Sequence, residues 1–292
     1  MAEIWTIGRI LKWTEHFFAE RGIESPRLDA EILLVHVLKK ERIYLYVHFD
    51  EPLEQAELVA FRALVKKRAA RVPVALILGE KEFMGLRFKV TKDTLVPRPD
   101  TEILVQTAIE RLTARMGRQA AGTRVRFADI GTGTGAVALS VLHELADAEA
   151  ETVDLSPAAR AVAEENAAAL GLAERIIFHT GDLLAPLTGE YDAILSNPPY
   201  IPDGDIAGLS PEVRASEPHT ALAGGADGLD FYRRLCAGAP AILKAGGFMA
   251  FEVGIHQAEA VAALAQKNPL IERTEILRDY AGVERVVVGW RA

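Results

Sequence analysis

Arg124-Val125-Arg126-Phe127-Ala128-Asp129-Ile130-Gly131-Thr132-Gly133-Thr134-Gly135-Ala136-Val137-Ala138-Leu139-Ser140-Val141-Leu142 decides the fold. Residues 124–130 read as a strand, 131–135 as a glycine turn and 136–142 as the opening of a helix. This order lets a ligand approach bare backbone at a helix N-terminus. Asp129 stands just before the turn, within reach of whatever binds there. From Val96 onward strand and helix patterns alternate, which predicts a mostly parallel sheet with helices on both faces.

The next strand is expected to end at Asp154, in Glu151-Thr152-Val153-Asp154, although Ala148 to Glu151 look more helical than extended. Asp154 lies at the spacing of a carboxylate that takes ribose hydroxyls. A third strand, Arg175 to Thr180, leads into Gly181-Asp182-Leu183 and places Asp182 to accept from an adenine amino group. A fourth, Tyr191 to Ser196, runs into Asn197-Pro198-Pro199-Tyr200.

That tetrapeptide puts a neutral amide at the carboxyl end of a buried strand. The Asn197 side-chain oxygen can accept one N–H of a planar nitrogen group, and the Pro198 carbonyl another. Proline fixes φ and restricts the residue before it, so both acceptors are pre-aimed. Pro199 adds stiffness, and Tyr200 is placed to stack on the target plane or to face a cationic methyl donor. In isolation the same residues read as a strand end opening a loop, and Pro199-Tyr200-Ile201-Pro202 as a polyproline ligand. The buried strand before them and the glycine loop upstream favour the chemical reading.

Two cofactors compete for the loop. Gly131, Gly133 and Ala136 satisfy the dinucleotide pattern, and a nicotinamide enzyme would use Asp154 in the same way. Three features favour S-adenosylmethionine: Asp129 before a loop with a third glycine, Asp182 after the third strand, and the Asn197 motif after the fourth, where an open α/β sheet places its crevice.

Together these residues resemble the class I S-adenosylmethionine-dependent methyltransferases. More narrowly, the chain is similar to the protein-(glutamine-N5) methyltransferases that act on peptide chain release factors. The resemblance also includes Val96-Pro97-Arg98-Pro99-Asp100-Thr101-Glu102, Glu217-Pro218, Gly224-Gly225-Ala226-Asp227-Gly228-Leu229 and Glu284-Arg285. It implies a seven-stranded, mostly parallel, doubly wound sheet. It implies that Gly131, Thr132, Gly133, Thr134, Gly135 and Asp154 contact the methyl donor, with Asp129, Asp182 and Leu183 beside them. Asn197, Pro198, Pro199 and Tyr200 would hold the glutamine of a Gly-Gly-Gln loop, with Asn197 touching both ligands. The Pro97-Arg98-Pro99 stretch would lie near the donor pocket. Two departures stand out: Leu183 replaces an aromatic that some members place beside the adenine, and Glu252-Val253-Gly254-Ile255-His256-Gln257 lacks the aromatic often found after the glycine.

Residues 1–73 read as a helical substrate-recognition domain, with simple capping of the catalytic domain an equal contender. Residues 74–95 read as a β-hairpin linker around Met84-Gly85, and 96–292 as the catalytic domain. Apolar stripes such as Ile7, Ile10, Leu11, Phe17 and Phe18 mark the helices, and Ser25-Pro26 reads as an N-cap with a first-turn proline. Gly246-Gly247 precedes a fifth strand (248–253), and strands at 272–279 and 283–289 form a final antiparallel hairpin. Arg62, Lys66, Lys67, Arg68 and Arg71 read as one solvated helix face, with docking to an acidic or RNA-bound partner as the functional alternative.

Half of the 292 residues are hydrophobic, enough for a sizeable core. Cys236, the single cysteine, excludes a disulfide frame and reads as a small buried hydrophobe in a helix over 231–243. The histidines show no metal-ligand spacing, and His219 and His256 read as surface or loop residues. No charged-then-apolar leader and no spanning apolar run is present, so a cytoplasmic protein, a monomer, is expected. The net charge of −8 argues against a direct nucleic-acid substrate. An adenine-N6 nucleic-acid methyltransferase is nevertheless the alternative enzyme, because its target nitrogen poses the same problem and the same tetrapeptide serves it.

Overall fold

The computed structural model describes residues 4–117 and 123–292, which divide into two compact units. One comprises the chain up to Gly79 together with Ser210–Ser216; the other comprises Glu80–Leu209 and Glu217 to the end.

The first unit is helical: α1 (Ile7–Ala19), α2 (Pro26–Leu38), α3 (Arg42–Val47), α4 (Gln55–Ala69) and α5 (Val74–Leu78). Thr6 caps α1 by accepting from the Arg9 N–H. Pro26 opens α2 as expected, but the Ser25 side chain makes no capping hydrogen bond. The stripes meet in a core of Leu11, Phe18, Leu33, Leu34 and Phe61. Glu31 is buried among them. Burial alone would raise its carboxyl, but hydrogen bonds from Tyr46, Arg42 and Arg27 outweigh that and hold it below the usual range.

The basic cluster is not one solvated face. Arg62, Lys66 and Lys67 are exposed, whereas Arg68 is only 7% exposed and pairs with Asp29 at 2.7 Å and Glu212 at 3.2 Å. Arg71 also reaches Glu212, at 2.8 Å, and the backbone oxygens of Arg21 and Gly22. These ties hold the short helix α9 (Pro211–Ser216), which belongs to this unit although it is distant in sequence. A helix-surface reading of adjacent charges could not anticipate partners 141 and 144 residues away.

The second unit opens with an antiparallel hairpin of β1 (Glu80–Phe83) and β2 (Leu86–Lys89). Met84 and Gly85 both take positive φ, +51° and +73°, as a tight two-residue turn requires. The hairpin is shorter than the 74–95 expected, because α5 occupies the start of that range. Next come α6 (Glu102–Met116), β3 (Val125–Ile130), α7 (Ala136–Glu144), β4 (Ala148–Asp154), α8 (Pro157–Ala169), β5 (Ile176–Thr180) and β6 (Tyr191–Ser196). After β6 and α9 come α10 (Asp230–Gly238), β7 (Leu243–Glu252), α11 (Ala258–Gln266), β8 (Ile271–Arg278) and β9 (Glu284–Arg291). The seven strands β3 to β9 form one sheet in the order β5-β4-β3-β6-β7-β9-β8, parallel except for β9. The order reverses between β3 and β6, which opens a crevice at their carboxyl ends.

Three elements differ instructively from their sequence pattern. β4 begins at Ala148 rather than Glu151; ladders to β3 on one side and β5 on the other override the helical preference of alanine and glutamate. Gly246-Gly247 lies inside β7, where the pairing with β6 skips register between Tyr191 and Ala193. A Cβ on Gly247 would meet the Lys244 carbonyl oxygen at 2.8 Å, so the bulge needs glycine. α10 stops early, the turn around Pro240 being a 3-10 helix. Cys236 is buried in α10, and burial pushes its thiol up to about 12. No helix among the described residues is long and apolar enough to cross a membrane.

Removing one member of a buried ion pair leaves its partners uncompensated, at a cost of about 3 kcal/mol. Arg68→Ala is therefore expected to lower the unfolding free energy from urea titration by that order, while Arg62→Ala, an exposed neighbour, changes stability by less than about 0.5 kcal/mol. Equal effects from the two would contradict the placement of Arg68.

Candidate active site

A cleft of about 530 Å³ opens at the carboxyl ends of β3, β4, β5 and β6, all within the second unit. Its size is that of a small-molecule site. Gly131 and Gly133 line it from β3, Asp154 from β4, Asp182 and Leu183 from β5, and Asn197, Pro198 and Pro199 from β6.

The glycine loop is built for close approach. Gly131, Gly133 and Gly135 have φ of +76°, +55° and +81°, a region that side chains disfavour. A Cβ at Gly131 or Gly133 would meet nothing within 4 Å, so their bare backbone faces open space. At Gly135 it would strike Leu139 Cδ1 at 2.8 Å, so this third glycine serves the packing of α7. Thr132, Thr134 and Gly135 are buried and do not line the cleft, and neither does Asp129. Asp129 is 1% exposed and accepts from Thr132 Oγ1 at 2.8 Å and from the Ala138 N–H. Burial pushes its carboxyl up to about 7, against those two hydrogen bonds. Its place is behind the loop, as a brace.

Asp154 faces the cleft and shapes it. Its two carboxylate oxygens accept from the N–H groups of Gly133 at 2.8 Å and Ser156 at 2.9 Å. Asp182 is exposed and pairs with Arg234 at 2.6 Å. Leu183, adjacent to it, takes a positive φ of +50°.

The Asn197 segment is held by close backbone contacts. Ser196 Oγ donates to the Ile130 carbonyl at 2.7 Å, tying the ends of β6 and β3. A Cβ on Gly224 would meet Tyr200 Cα at 2.8 Å and the Pro199 oxygen at 2.9 Å; one on Gly228 would meet the Tyr200 oxygen at 2.3 Å. Only glycines let the 224–229 turn lie against this strand end. Gln257 Nε2 donates to the Tyr200 carbonyl at 2.9 Å, while Gln257 Oε1 accepts from the Gly254 N–H. Tyr200 itself does not line the cleft. Its ring packs into the core beside α10 and β7, and burial pushes its hydroxyl up to about 12. That geometry makes Tyr200 a buttress of the segment rather than a ring presented to a ligand.

Residues 98–101 fasten three separate parts of the chain. Arg98 pairs with Glu217 at 2.5 Å, Asp100 with Arg285 at 2.9 Å, and Thr101 Oγ1 accepts from Asn197 Nδ2 at 3.0 Å. Burial raises the Glu217 carboxyl, and the Arg98 charge opposes it. Past Glu217, residues 218–221 and Ala223 form a wall of the cleft. His219, read from sequence as a surface or loop residue, is exposed on that wall. Asp93, Thr94, Leu95, Ser156 and Phe231 also line the cleft, and sequence reasoning missed them. Glu217-Pro218 was the one local signal for the wall, and nothing in the pattern around 93–95 marked that stretch.

Residues 9–79 match the family described as PrmC N-terminal domain, and residues 103–208 that described as methyltransferase small domain. Over 288 residues the chain is 43% identical to a release factor glutamine methyltransferase of Geobacter sulfurreducens, spanning 98% of this chain and 97% of that protein. It is 44% identical over 274 residues to one from Moorella thermoacetica, spanning 94% of each. A solved methyltransferase from Pyrococcus furiosus, 15% identical, shares the fold with a TM-score of 0.52 over 78% of this chain and 96% of that one. The chain therefore belongs to the release factor glutamine methyltransferase family and is an enzyme that methylates protein glutamine.

Proposed function

We propose that the enzyme transfers a methyl group from S-adenosylmethionine to the side-chain nitrogen, N5, of the glutamine in the Gly-Gly-Gln loop of peptide chain release factors. The observation that carries this reading is the Asn197 side chain in the cleft, with its amide nitrogen committed to Thr101. An amide so placed presents its oxygen as an acceptor for a neutral N–H.

The residues present fit the donor. The bare backbone of Gly131 and Gly133 admits a close ligand, Asp154 offers a carboxylate to ribose hydroxyls, and Asp182 with Leu183 gives a polar and an apolar contact for adenine. When bound, S-adenosylmethionine supplies a methyl group on a cationic sulfur that becomes neutral as the group leaves. The protein's part is to hold the nucleophile. Asn197 Oδ1 and the Pro198 carbonyl accept the two N–H groups of the glutamine amide, aiming its nitrogen along the line of attack. Such positioning supplies up to about 7–11 kcal/mol in favourable cases. Its proton leaves during or after transfer, and no general base is assigned. The positive charge passes from sulfur towards nitrogen and leaves with that proton, so it is spread out in the transition state and a cleft that excludes water favours the step.

The helical first unit is read as the part that recognises the protein substrate, acting as a monomer in the cytoplasm where translation terminates. The substrate class is supported by the names of the relatives from Geobacter sulfurreducens and Moorella thermoacetica. The test is direct. The enzyme, methyl-labelled donor and a purified release factor are incubated, and the modified residue is mapped by mass spectrometry. Label on the Gly-Gly-Gln glutamine supports the reading; label on another residue, or only on added nucleic acid, overturns it.

Two substitutions separate the two ligands. Asn197→Ala is expected to lower kcat by about 100–1000-fold, the scale of losing one preorganised polar contact at a reacting group. Calorimetry should find its S-adenosylmethionine affinity within about threefold of wild type, and unchanged kcat would refute the role of Asn197. Asp154→Ala should instead weaken donor binding by about 10–100-fold, since a charge-assisted hydrogen bond contributes about 1.5–3 kcal/mol. Undiminished donor affinity in that variant would remove Asp154 from the binding site.

A further inference from the structure

Asn197 has a flat side chain whose two ends are nearly the same shape. Turned by 180°, it would present donors where acceptors are needed, and a glutamine N–H would meet an N–H. Something must set its orientation, and the cleft alone does not. The answer lies behind it, at the end of the neighbouring parallel strand.

Glu252 ends β7, which runs beside β6, and its register places it one step beyond the partner of Ser196. The residue is 1% exposed. That register sets its carboxyl beside the side chains of Thr101 and Asn197, both of which favour its charged form, while its Oε2 is buried without a partner. Thr101 is 5% exposed and accepts from Asn197 Nδ2 at 3.0 Å. The Asn197 amide nitrogen thus meets the Thr101 hydroxyl with the Glu252 carboxyl beside it, and no described residue donates to its Oδ1.

We propose that Glu252 and Thr101 together fix the orientation of the Asn197 side chain, so that Oδ1 and not Nδ2 faces the cleft. Glu252 is a positioning residue: it acts through Asn197 and touches neither ligand. A flipped amide would set Oδ1 against the Glu252 carboxyl oxygen, acceptor against acceptor in a buried site, which is the costly arrangement. Burial pushes the Glu252 carboxyl up to about 7, with hydrogen bonds from Thr101 and Asn197 and the Arg285 charge opposing and the Asp100 charge reinforcing. The Tyr232 hydroxyl donates to the Glu252 backbone carbonyl at 2.7 Å, and the carboxyl charge bears on both Tyr200 and Tyr232. Glutamine keeps an acceptor oxygen of the same shape at this position and is the conservative replacement. The inference rests on the reading of Asn197 as the residue that grips the glutamine.

The test is a set of coupled substitutions read by kcat, KM for the release factor and donor affinity. Glu252→Ala and Thr101→Val should each lower kcat by about 100-fold, the scale of a small misplacement at a reacting group, with donor affinity held within about threefold. Glu252→Gln and Thr101→Ser, which keep the acceptors, should recover activity to within about fivefold of wild type. In an Asn197→Ala background, Glu252→Ala and Thr101→Val should cost less than about threefold more, because the residue they orient is gone. Should Glu252→Ala fail to fold, the near-isosteric Thr101→Val carries the same test. A full additional loss on top of Asn197→Ala, or no recovery with glutamine, would overturn the orienting role while leaving Asn197 in place. Wild-type turnover by Asn197→Ala alone would instead remove the reading beneath it.

Discussion

The hydrogen bond from Asn197 Nδ2 to Thr101 Oγ1 joins the end of a central strand to the start of α6, and the site depends on it. Around it the short stretch 98–101 also reaches Glu217 and Arg285. Four segments far apart in sequence thus converge on one side of the cleft. None of these ties is worth much by itself in water. Arg98 and Asp100 stay partly exposed, but Glu217 and Thr101 are buried, so breaking their ties strands a polar partner away from solvent.

Glycines perform the complementary task of allowing backbones to touch. At Gly131 and Gly133 the missing side chains leave room for a ligand; at Gly224 and Gly228 they leave room for the strand end that bears Asn197. The distinction matters for chemistry. The first pair opens the cleft, and the second makes the edge that bears Asn197 rigid. Two prolines fix φ on that edge, and Gln257 satisfies the Tyr200 carbonyl. A side chain that must hold a weak nucleophile in line needs this stiffness more than it needs charge.

Much of this was legible in the sequence where local pattern and chemistry coincide. The strand 191–196 is mostly apolar and buried along its whole length in a parallel part of the sheet, so its limits were readable. The glycine turn was readable because its positive φ values demand glycine, and Asp154 because its carboxylate ties the loop through the Gly133 N–H. Tertiary contacts decided the rest. Ala148 to Glu151 is a strand only because two neighbours pair with it. Arg68 looked like one more surface cation until Asp29 and Glu212 enclosed it. Asp129 and Tyr200 carried the right chemistry for ligand contact, yet the fold turns both inward, one to brace the loop and one to support the segment. The 218–223 wall was hidden because its side chains share no chemical signature; the Arg98–Glu217 pair and backbone bonds to Ile201 bring it to the cleft.

The central claim is that one fixed amide oxygen and the carbonyl next to it receive the substrate's side chain. A crystal structure of the enzyme with S-adenosylhomocysteine and a Gly-Gly-Gln peptide tests it most directly. The account predicts Asn197 Oδ1 within about 3 Å of the glutamine amide nitrogen, that nitrogen in line with the sulfur. A glutamine seated elsewhere, or residue 197 turned away from it, would contradict the account.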